Sequence, residues 1–468
     1  MAKAQMGLVG LAVMGENLAL NIESKGFSIG VFNRTGAKTK ALVEGRAAGK
    51  RFTAAYSPKE LCDLIERPRK IILMVKSGAA VDDMIAQFRP FLQKGDLLID
   101  GGNSFFADTE RRALDLAKDG LLYIGTGVSG GEEGALKGPC IMPGGAPEAY
   151  ALVKPVLEKI AAQVDGPCCA YIGPRGAGHY VKMVHNGIEY GIMQCLAEIY
   201  DVMRSVLRLK AAEMSKIFSK WNDGELGGYL TEITAACLAK VDPDTGKPLV
   251  DVILDKAGQK GTGKWTSQNA LDLGVAVPTI DMAVEGRILS SFKTERVAAS
   301  KILKGSRPKT PANQTAFVKA CRDTMYLSVV SCYAQGVALL RNASREYQYD
   351  LNLSEIARIW KGGCIIRSKL LDPISGAFKK NPALPNLLVD KHFSKIVNTR
   401  IKAMRKVVGA SVEGGVPVLA LGSALGYIDS YRTACLPQNL TQAQRDYFGA
   451  HTYERTDKPG AFHTHWIE

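Results

Sequence analysis

Short apolar runs and amphipathic segments alternate through the first third of the chain. The apolar runs have the length of buried strands, and segments such as 17–25 and 108–118 repeat apolar residues at helical spacing. This alternation is typical of βαβ units, and it predicts a mostly parallel, doubly wound sheet. The predicted strands are 4–9, 28–32, 70–75, 97–100, 121–124 and 169–172.

The pattern changes at a Gly-Pro-Arg-Gly-Ala-Gly run over 173–178, after which apolar residues follow helical spacing to about residue 435. From Leu436 onward the chain is polar and has too few apolar residues for a core of its own. We expect this tail to dock elsewhere or to stay mobile. The predicted organisation is a Rossmann-type α/β domain over 1–177, a large all-α domain over 178–435 and a short C-terminal tail over 436–468.

Composition narrows the class of protein. The 468 residues exceed what one hydrophobic core usually serves, and no apolar run approaches the ~18 residues of a membrane span. The ten cysteines include no Cys-x-x-Cys pair and no zinc spacing, so we expect reduced thiols, a cytoplasmic location and no metal. The net charge of +14 suggests acidic partners. Because the basic residues are spread along the chain, phosphorylated metabolites fit at least as well as nucleic acid.

A glycine motif separates the first predicted strand from the first predicted helix. Gly10, Ala12 and Gly15 occupy the positions of G-x-G-x-x-G, with alanine in place of the middle glycine. In dinucleotide sites this turn brings the backbone close to a pyrophosphate at the N-terminus of a helix. The motif alone is weak, but its place between strand and helix favours a dinucleotide site.

The end of the second strand distinguishes the two nicotinamide cofactors. An NAD site carries a carboxylate about 20 residues past the fingerprint, where this chain has Asn33, Arg34 and Thr35. Arg34 can bind a 2′-phosphate with two hydrogen bonds, and Thr35 and Lys38 can add a hydroxyl and a charge. The simpler interpretation is a solvated arginine at a strand end. With the fingerprint upstream, the sequence favours NADP.

A mixed polar stripe follows the predicted domain boundary. Lys182, His185, Asn186, Glu189 and Tyr190 share one face of a helix, and the sequence continues into an apolar stretch. A solvated helix face is the ordinary interpretation of such a stripe. The mixture of base, acid, amide and phenol on a helix with apolar flanks instead predicts the lining of a cavity.

Three glycine-rich loops are candidates to face this stripe. Residues 100–104 and 128–134 each follow a predicted strand, at the edge where open α/β sheets bind ligands. Residues 258–265 match the P-loop pattern except that Trp265 replaces Ser or Thr, so we reject ATP binding. Lys260, Thr262 and Lys264 in that loop still suit a phosphate monoester.

Together these segments resemble the 6-phosphogluconate dehydrogenase family of the β-hydroxyacid dehydrogenase superfamily. The resemblance covers essentially the whole chain. It rests on Gly-Leu-Ala-Val-Met-Gly, Asn-Arg-Thr, Gly-Gly-Asn-Ser, Val-Ser-Gly-Gly-Glu-Glu-Gly-Ala, Lys-Met-Val-His-Asn-Gly-Ile-Glu-Tyr, Gln-Lys-Gly-Thr-Gly-Lys-Trp and Gln-Arg-Asp-Tyr-Phe-Gly-Ala-His-Thr-Tyr.

The resemblance implies oxidative decarboxylation of 6-phosphogluconate to ribulose 5-phosphate with NADP, in the pentose phosphate pathway and gluconate utilisation. It makes Lys182 the general base and Glu189 the general acid. It makes the enzyme a homodimer in which Arg445 and His451 of one tail complete the partner's site. The implied cofactor residues are Gly10, Leu11, Ala12, Val13, Met14, Gly15, Asn33, Arg34, Thr35, Lys38, Val75, Lys76 and Asn103. The implied substrate residues are Asn103, Ser129, Gly130, Gly131, His185, Asn186, Tyr190, Lys260, Thr262, Arg287, Arg445 and His451.

Two other functions stay open at this point. A non-decarboxylating β-hydroxyacid dehydrogenase would share the fingerprint and the lysine, but it needs neither the Lys260 loop nor the basic tail. A basic nucleic-acid-binding protein would explain the charge but none of the motifs. Ser77, Lys137 and Cys140 stand where the family pattern has Ala, Arg and Ser, and they leave the implied catalytic pair intact.

Overall fold

A seven-stranded sheet forms the N-terminal part of the computed structural model, which describes residues 3–467. Residues 1, 2 and 468, the outer ends of the predicted first and last parts, lie outside the described residues. The strand order is β3-β2-β1-β4-β5-β6-β7, and all neighbours are parallel except β6 and β7. The strands are β1 Met6–Val9, β2 Ile29–Phe32, β3 Phe52–Ala55, β4 Lys70–Leu73, β5 Leu97–Asp100, β6 Leu122–Ser129 and β7 Cys140–Gly145. The predicted doubly wound sheet is confirmed.

The edge strands differ from the prediction. The segment 169–172 is not a strand, because it makes only an isolated bridge from Cys169 to Ile141, and the next bridge joins Gly173, just beyond it, to Gly144. β7 itself was missed because it contains Pro143 and two glycines, residues that argue against a strand. β3 was missed because its Phe-Thr-Ala-Ala sequence is short and partly exposed.

Helices cover both faces of this sheet, as crossover connections between parallel strands require. They begin close to where the sequence predicts, with α1 extending from the glycine motif and α5 following β5. The helices of this part are α1 Val13–Ser24, α2 Gly36–Glu44, α3 Pro58–Leu64, α4 Ala79–Phe88, α5 Phe106–Ala117, α6 Gly131–Lys137 and α7 Pro147–Ile160.

The rest of the chain is mainly helical, as predicted. No helix among residues 3–467 is both long and apolar enough to cross a membrane. The helices are α8 Ala177–Val206, α9 Ala211–Asp223, α10 Tyr229–Ala239, α11 Leu249–Val252, α12 Thr262–Asp272, α13 Pro278–Ser291, α14 Lys293–Ile302, α15 Gln314–Glu346, α16 Leu353–Ile359, α17 Leu371–Lys380, α18 Lys391–Glu413, α19 Leu419–Arg432 and α20 Gln438–Gly449.

Helix α8 connects the two parts and carries the polar stripe. One side packs against β6, β7 and α5, and the other packs against α12, α13 and α15. Glycines permit the close approach to the sheet, since a Cβ at Gly178 would lie 2.4 Å from the carbonyl oxygen of Gly125. A Cβ at Gly127 would lie 2.4 Å from the Cβ atom of Lys182. One apolar core joins Met142 of β7 with α8 and α15, so the stripe is held at the carboxyl edge of the sheet.

The tail has structure that the sequence pattern did not predict. It consists of α20 and a two-stranded hairpin of β8, Tyr453–Glu454, and β9, Ala461–Phe462. In place of an apolar core it is organised around the buried carboxylate of Asp446, which accepts hydrogen bonds from the Trp466 indole and the Thr452 and Thr464 amides. Its other side chains are exposed or half-buried.

Candidate active site

The polar stripe of α8 is a buried cluster rather than a solvated face. Lys182 is 5% exposed, and its Nζ donates to Asn186 Oδ1 at 2.8 Å. Asn186 in turn donates through Nδ2 to the Thr262 hydroxyl at 3.1 Å. In its protonated form Lys182 can only donate, so the amide oxygen of Asn186 faces the ammonium group.

The hydrogen bonds also define the tautomer of His185. Its Nδ1 lies 3.0 Å from Asn186 Oδ1 and 3.4 Å from Lys182 Nζ, and the tautomer with the hydrogen on Nδ1 donates to the amide oxygen. Its Nε2 lies 3.4 Å from the Ser129 hydroxyl and is left to accept. The Trp360 ring packs edge-on against the His185 ring, with 5.6 Å between the two ring centres. Burial and the neighbouring Lys182 hold the pKa of His185 well below its usual range, so the ring is neutral.

The pKa values of Lys182 and Glu189 in the stripe are shifted in opposite directions. Burial lowers the pKa of Lys182, and the nearby Glu189 only partly opposes this. Burial raises the pKa of Glu189 against the opposing charges of Lys182 and Arg287. Both shifts favour the neutral forms, an amine that can accept a proton and a carboxylic acid that can donate one.

A second cationic group closes one end of the stripe. The Arg287 guanidinium of α13 lies 3.4 Å from the centre of the Tyr190 ring, and it donates to the Gly258 carbonyl at 3.0 Å. That bond connects α13 to the loop that carries Lys260, whose side chain is exposed. The loop ends at Thr262, the first residue of α12, which contacts the stripe through Asn186.

The loop after β6 approaches the same cluster. Ser129 is the last residue of β6, and Gly130 and Gly131 follow with φ of 121° and 63°. A Cβ at Gly130 would lie 2.6 Å from the Gly363 carbonyl oxygen, so only glycine fits there. The backbone after Ser129 is therefore fixed against the helical part of the chain.

The loop after β5 carries Asn103 above a buried carboxylate. Asp100 is fully buried and accepts from the Gly102 amide, the Ser104 hydroxyl and the Tyr123 hydroxyl. Asn103 lies between two of these donors, and its own side chain is exposed. A rigid base thus presents an exposed amide at the sheet edge.

The glycine motif has the geometry of a dinucleotide cradle. Gly10 has φ of 95°, and a Cβ there would lie 2.5 Å from the Met74 carbonyl oxygen. A Cβ at Gly15 would lie 1.9 Å from the Gly10 carbonyl oxygen. The Leu11 amide donates to Asn33 Oδ1 at 3.0 Å, which connects the motif to the end of β2. Ala12, Val13 and Met14 open α1, whose N-terminal amides suit a pyrophosphate.

The residues around this cradle fit NADP. Arg34, Thr35 and Lys38 are all exposed at the end of β2 and the start of α2, where they can meet a 2′-phosphate. Val75 is half-buried and Lys76 is exposed in the connection from β4 to α4, next to the motif in the sheet. No carboxylate occupies the position that would oppose a 2′-phosphate.

The two predicted substrate residues of the tail are not brought to the cluster. Arg445 donates to Gln442 within α20, and the His451 ring packs against Phe448. Within the described part of the chain neither makes a hydrogen bond, ion pair or ring contact with Lys182 or its neighbours.

Sequence reasoning missed the groups that support the site. Arg112 is 1% exposed beneath the loops after β4 and β5, and Trp360 is 1% exposed against His185. A signal for Arg112 was present, because it falls at helical spacing from Thr109 and Leu116 on the buried face of α5. Trp360 follows α16, and no local pattern connects it with α8.

Two family models together match almost the whole chain. Residues 5–173 match the model for the NAD binding domain of 6-phosphogluconate dehydrogenase, and residues 178–466 match the model for the C-terminal domain of the same enzyme. The chain belongs to the 6-phosphogluconate dehydrogenase family. The resemblance inferred from the sequence motifs is confirmed.

Individual members of the 6-phosphogluconate dehydrogenase family match over their whole length. The NADP(+)-dependent, decarboxylating 6-phosphogluconate dehydrogenase of Bacillus subtilis is 57% identical over 470 residues, covering 100% of both chains. The decarboxylating enzyme of Escherichia coli K12 is 53% identical with the same coverage. The structure of Plasmodium falciparum 6-phosphogluconate dehydrogenase, described apo, with NADP+ and with 6-phosphogluconate, has a TM-score of 0.95 and 44% identity, covering 99% of this chain and 100% of that one.

Proposed function

We propose that this protein oxidises and decarboxylates 6-phosphogluconate to ribulose 5-phosphate and CO₂ while it reduces NADP. The observation that carries the proposal is the buried Lys182 and the half-buried Glu189 on one face of α8, each with its pKa shifted towards the neutral form. Full-length relatives named for this reaction support it. The direct test is NADP reduction with 6-phosphogluconate while CO₂ is collected.

The first step is oxidation at C3 of the sugar acid. NADP, when bound, supplies the acceptor for the hydride that leaves C3. Lys182 in its amine form takes the proton from the C3 hydroxyl, so the C3–O single bond becomes a ketone. Asn186 orients the amine for this transfer through its hydrogen bond to Nζ. General base help of this kind is usually worth about 10²–10⁴-fold in rate.

The second step breaks the bond between C2 and the carboxylate. The ketone lies β to that carboxylate, so the electron pair released with CO₂ passes to the ketone oxygen and forms an enediol. Lys182, now an ammonium, returns its proton to that oxygen. Glu189 then protonates the carbon that becomes C1 of ribulose 5-phosphate, which the raised pKa of its carboxyl group favours, while the Lys182 amine takes back the proton of the neighbouring enediol hydroxyl and the C2 ketone forms.

The remaining substrate contacts follow from the family resemblance. Asn103, Ser129, Gly130, Gly131, His185 and Asn186 would hold the sugar acid. Tyr190, Lys260, Thr262 and Arg287 would hold the phosphate, and the contact of Arg287 with Tyr190 supports a cationic pocket at that end of the stripe.

A non-decarboxylating dehydrogenase of the same superfamily is the alternative. It would oxidise its substrate with NADP but release no CO₂. NADPH formed without an equal amount of CO₂ would favour this alternative.

The cofactor preference gives a first prediction. Arg34→Asp should weaken NADP binding by about 100-fold, because it removes a bidentate hydrogen bond and places a carboxylate against the 2′-phosphate. NAD binding should change by less than about threefold, since NAD lacks that phosphate. Steady-state KM values for both cofactors check this.

Lys40→Asp is the matched control for Arg34→Asp. Lys40 lies on α2 and pairs with Glu44 at the surface, so the same charge change there should affect both cofactors little. Equal losses for NADP and NAD in the Arg34 variant would rule out its assignment to the 2′-phosphate.

We also infer that the tail from residue 436 completes the active site of a second copy of this chain. Tyr447 and Phe448 are 56% and 72% exposed on α20, which is more aromatic surface than a solvated tail normally presents. Arg445 is on the same helix, where its side chain donates to Gln442 and leaves most of the guanidinium exposed. An arginine supplied by a partner would make activity depend on the homodimer.

Mixing two inactive variants tests this arrangement. Lys182→Ala and Arg445→Ala subunits, co-refolded in equal amounts, should recover about a quarter of wild-type activity, because half the dimers are mixed and each has one intact site. Each variant refolded alone is the control. No recovery in heterodimers isolated with two different affinity tags would mean that each subunit supplies its own Arg445.

We propose one function for each predicted part of the chain. Residues 1–177 bind the cofactor, residues 178–435 bind the substrate and form the dimer, and residues 436–468 reach the partner subunit. We further place the protein in the cytoplasm. All ten cysteines are free thiols, eight of them buried, as expected in a reducing compartment.

A further inference from the structure

Arg112 of α5 is a buried charge that the reaction itself does not use. Its side chain is 1% exposed, and burying a guanidinium is costly unless all its donors are paired. Its partners lie on two different loops at the carboxyl edge of the sheet. One loop follows β4 and carries Val75 and Lys76, and the other follows β5 and carries Asn103.

On the β4 side Arg112 holds the entry to α4. Its Nη2 donates to the Gly78 carbonyl at 3.0 Å. Its Nε and Nη2 also bind the two carboxylate oxygens of Asp82, in the first turn of α4, at 2.8 and 2.9 Å. Gly78 has φ of 89° and precedes α4 directly, so this carbonyl bond fixes the end of the loop that contains Lys76.

On the β5 side the same guanidinium contacts the base of the Asn103 loop. Its Nη1 lies 3.4 Å from the Ser104 hydroxyl and 3.6 Å from the Asp100 carboxylate. Asp100 also accepts from the Gly102 amide and from Ser104, the residues on either side of Asn103. Arg112 therefore neutralises the carboxylate on which that loop is built.

We propose that Arg112 is a positioning residue that sets the cofactor loop after β4 and the Asn103 loop after β5 in one relative arrangement, so that a single side chain supports binding of both NADP and 6-phosphogluconate. Arg112 itself touches neither ligand. The inference rests on the proposed function for the identity of the substrate. The cofactor arm of the test, binding of NADP alone, does not depend on that substrate.

The test compares Arg112→Lys and Arg112→Met with Arg111→Met. Arg111 binds the same Asp82 carboxylate at 2.9 and 3.1 Å but is 56% exposed and contacts neither loop. Arg112→Lys retains the buried positive charge, yet one ammonium cannot hold both loops. We expect each Arg112 variant to raise the KM for NADP and the KM for 6-phosphogluconate about tenfold. Arg111→Met should leave both within about twofold.

The KM values distinguish positioning from a contribution to stability alone. A merely structural arginine would lower the melting temperature and the yield of active enzyme, while the surviving enzyme kept normal KM values. If Arg112→Met fails to fold, the same KM values measured on Arg112→Lys decide between the two roles. Wild-type KM values in a folded Arg112→Lys enzyme, or a rise for only one ligand, would overturn the proposal. An NADP Kd raised about tenfold, measured by titration without substrate, would support the cofactor half even if 6-phosphogluconate proved not to be the substrate.

Discussion

Lys182→Ala should lower kcat for 6-phosphogluconate oxidation by about 10³-fold or more, while the Kd for the substrate changes by less than about fivefold. The reason is that the amine acts on a proton that moves only in the transition state. Its surroundings are already arranged for this, since burial lowers its pKa and Asn186 orients it. Single-turnover NADPH formation measures the oxidation step directly.

The pH dependence of the wild-type enzyme provides a second measurement on Lys182. Because its pKa is lowered, the amine form increases as the pH rises through that pKa, and oxidation should accelerate over that range. Lys182→Arg is the control for charge, because an arginine stays protonated and should be as inactive as alanine. Turnover within tenfold of wild type in Lys182→Ala would mean that another group is the base.

Glu189→Gln should separate oxidation from the final protonation. Glutamine keeps the size of the side chain but has no proton to give, so we expect overall turnover to fall about 10²–10³-fold with little change in KM. Exchange of the C1 hydrogen of ribulose 5-phosphate in D₂O, followed by NMR, isolates the step assigned to Glu189. That exchange should fall by a similar factor.

Glu189→Asp provides the matched comparison, because it retains an acid on a shorter side chain. It should recover part of the exchange that Glu189→Gln loses. The exchange begins with the Glu189 carboxylate removing the C1 proton, and burial raises the pKa of Glu189, so lowering the pH through that pKa should also slow the exchange in the wild type. Normal C1 exchange in Glu189→Gln would assign the proton to a different donor.

The sequence predicted the stripe of α8 well because a helix relates its residues locally. Lys182 and Asn186, four residues apart, are in hydrogen-bond contact as the helical period requires. The parallel strands were predictable for a similar reason, since each is a compact apolar run. The prediction of strands failed near the sheet edge, because Pro143 and the glycines of β7 are unfavourable in strands. Pairing with β6 nevertheless stabilises β7 as a strand.

Other contacts between distant segments were beyond the reach of the sequence. The guanidinium of Arg112 and the ring of Trp360 are fixed by partners up to 218 residues away, as in the bond from Trp360 Nε1 to Met142 Sδ. The tail is a further case, since its hydrogen bonds to the Asp446 carboxylate come from residues up to 20 positions away, as in the bond from the Trp466 indole.

The single core that joins β7, α8 and α15 also has a consequence for motion. Protein segments open locally with free energies that approach the global value where apolar burial is densest. The backbone around Lys182 and His185 therefore belongs to the slowest-opening part of the molecule, which keeps the reacting groups still between turnovers. Entry of the sugar acid and release of product must depend on the exposed residues 258–260, the segment next to α12 with the least buried surface.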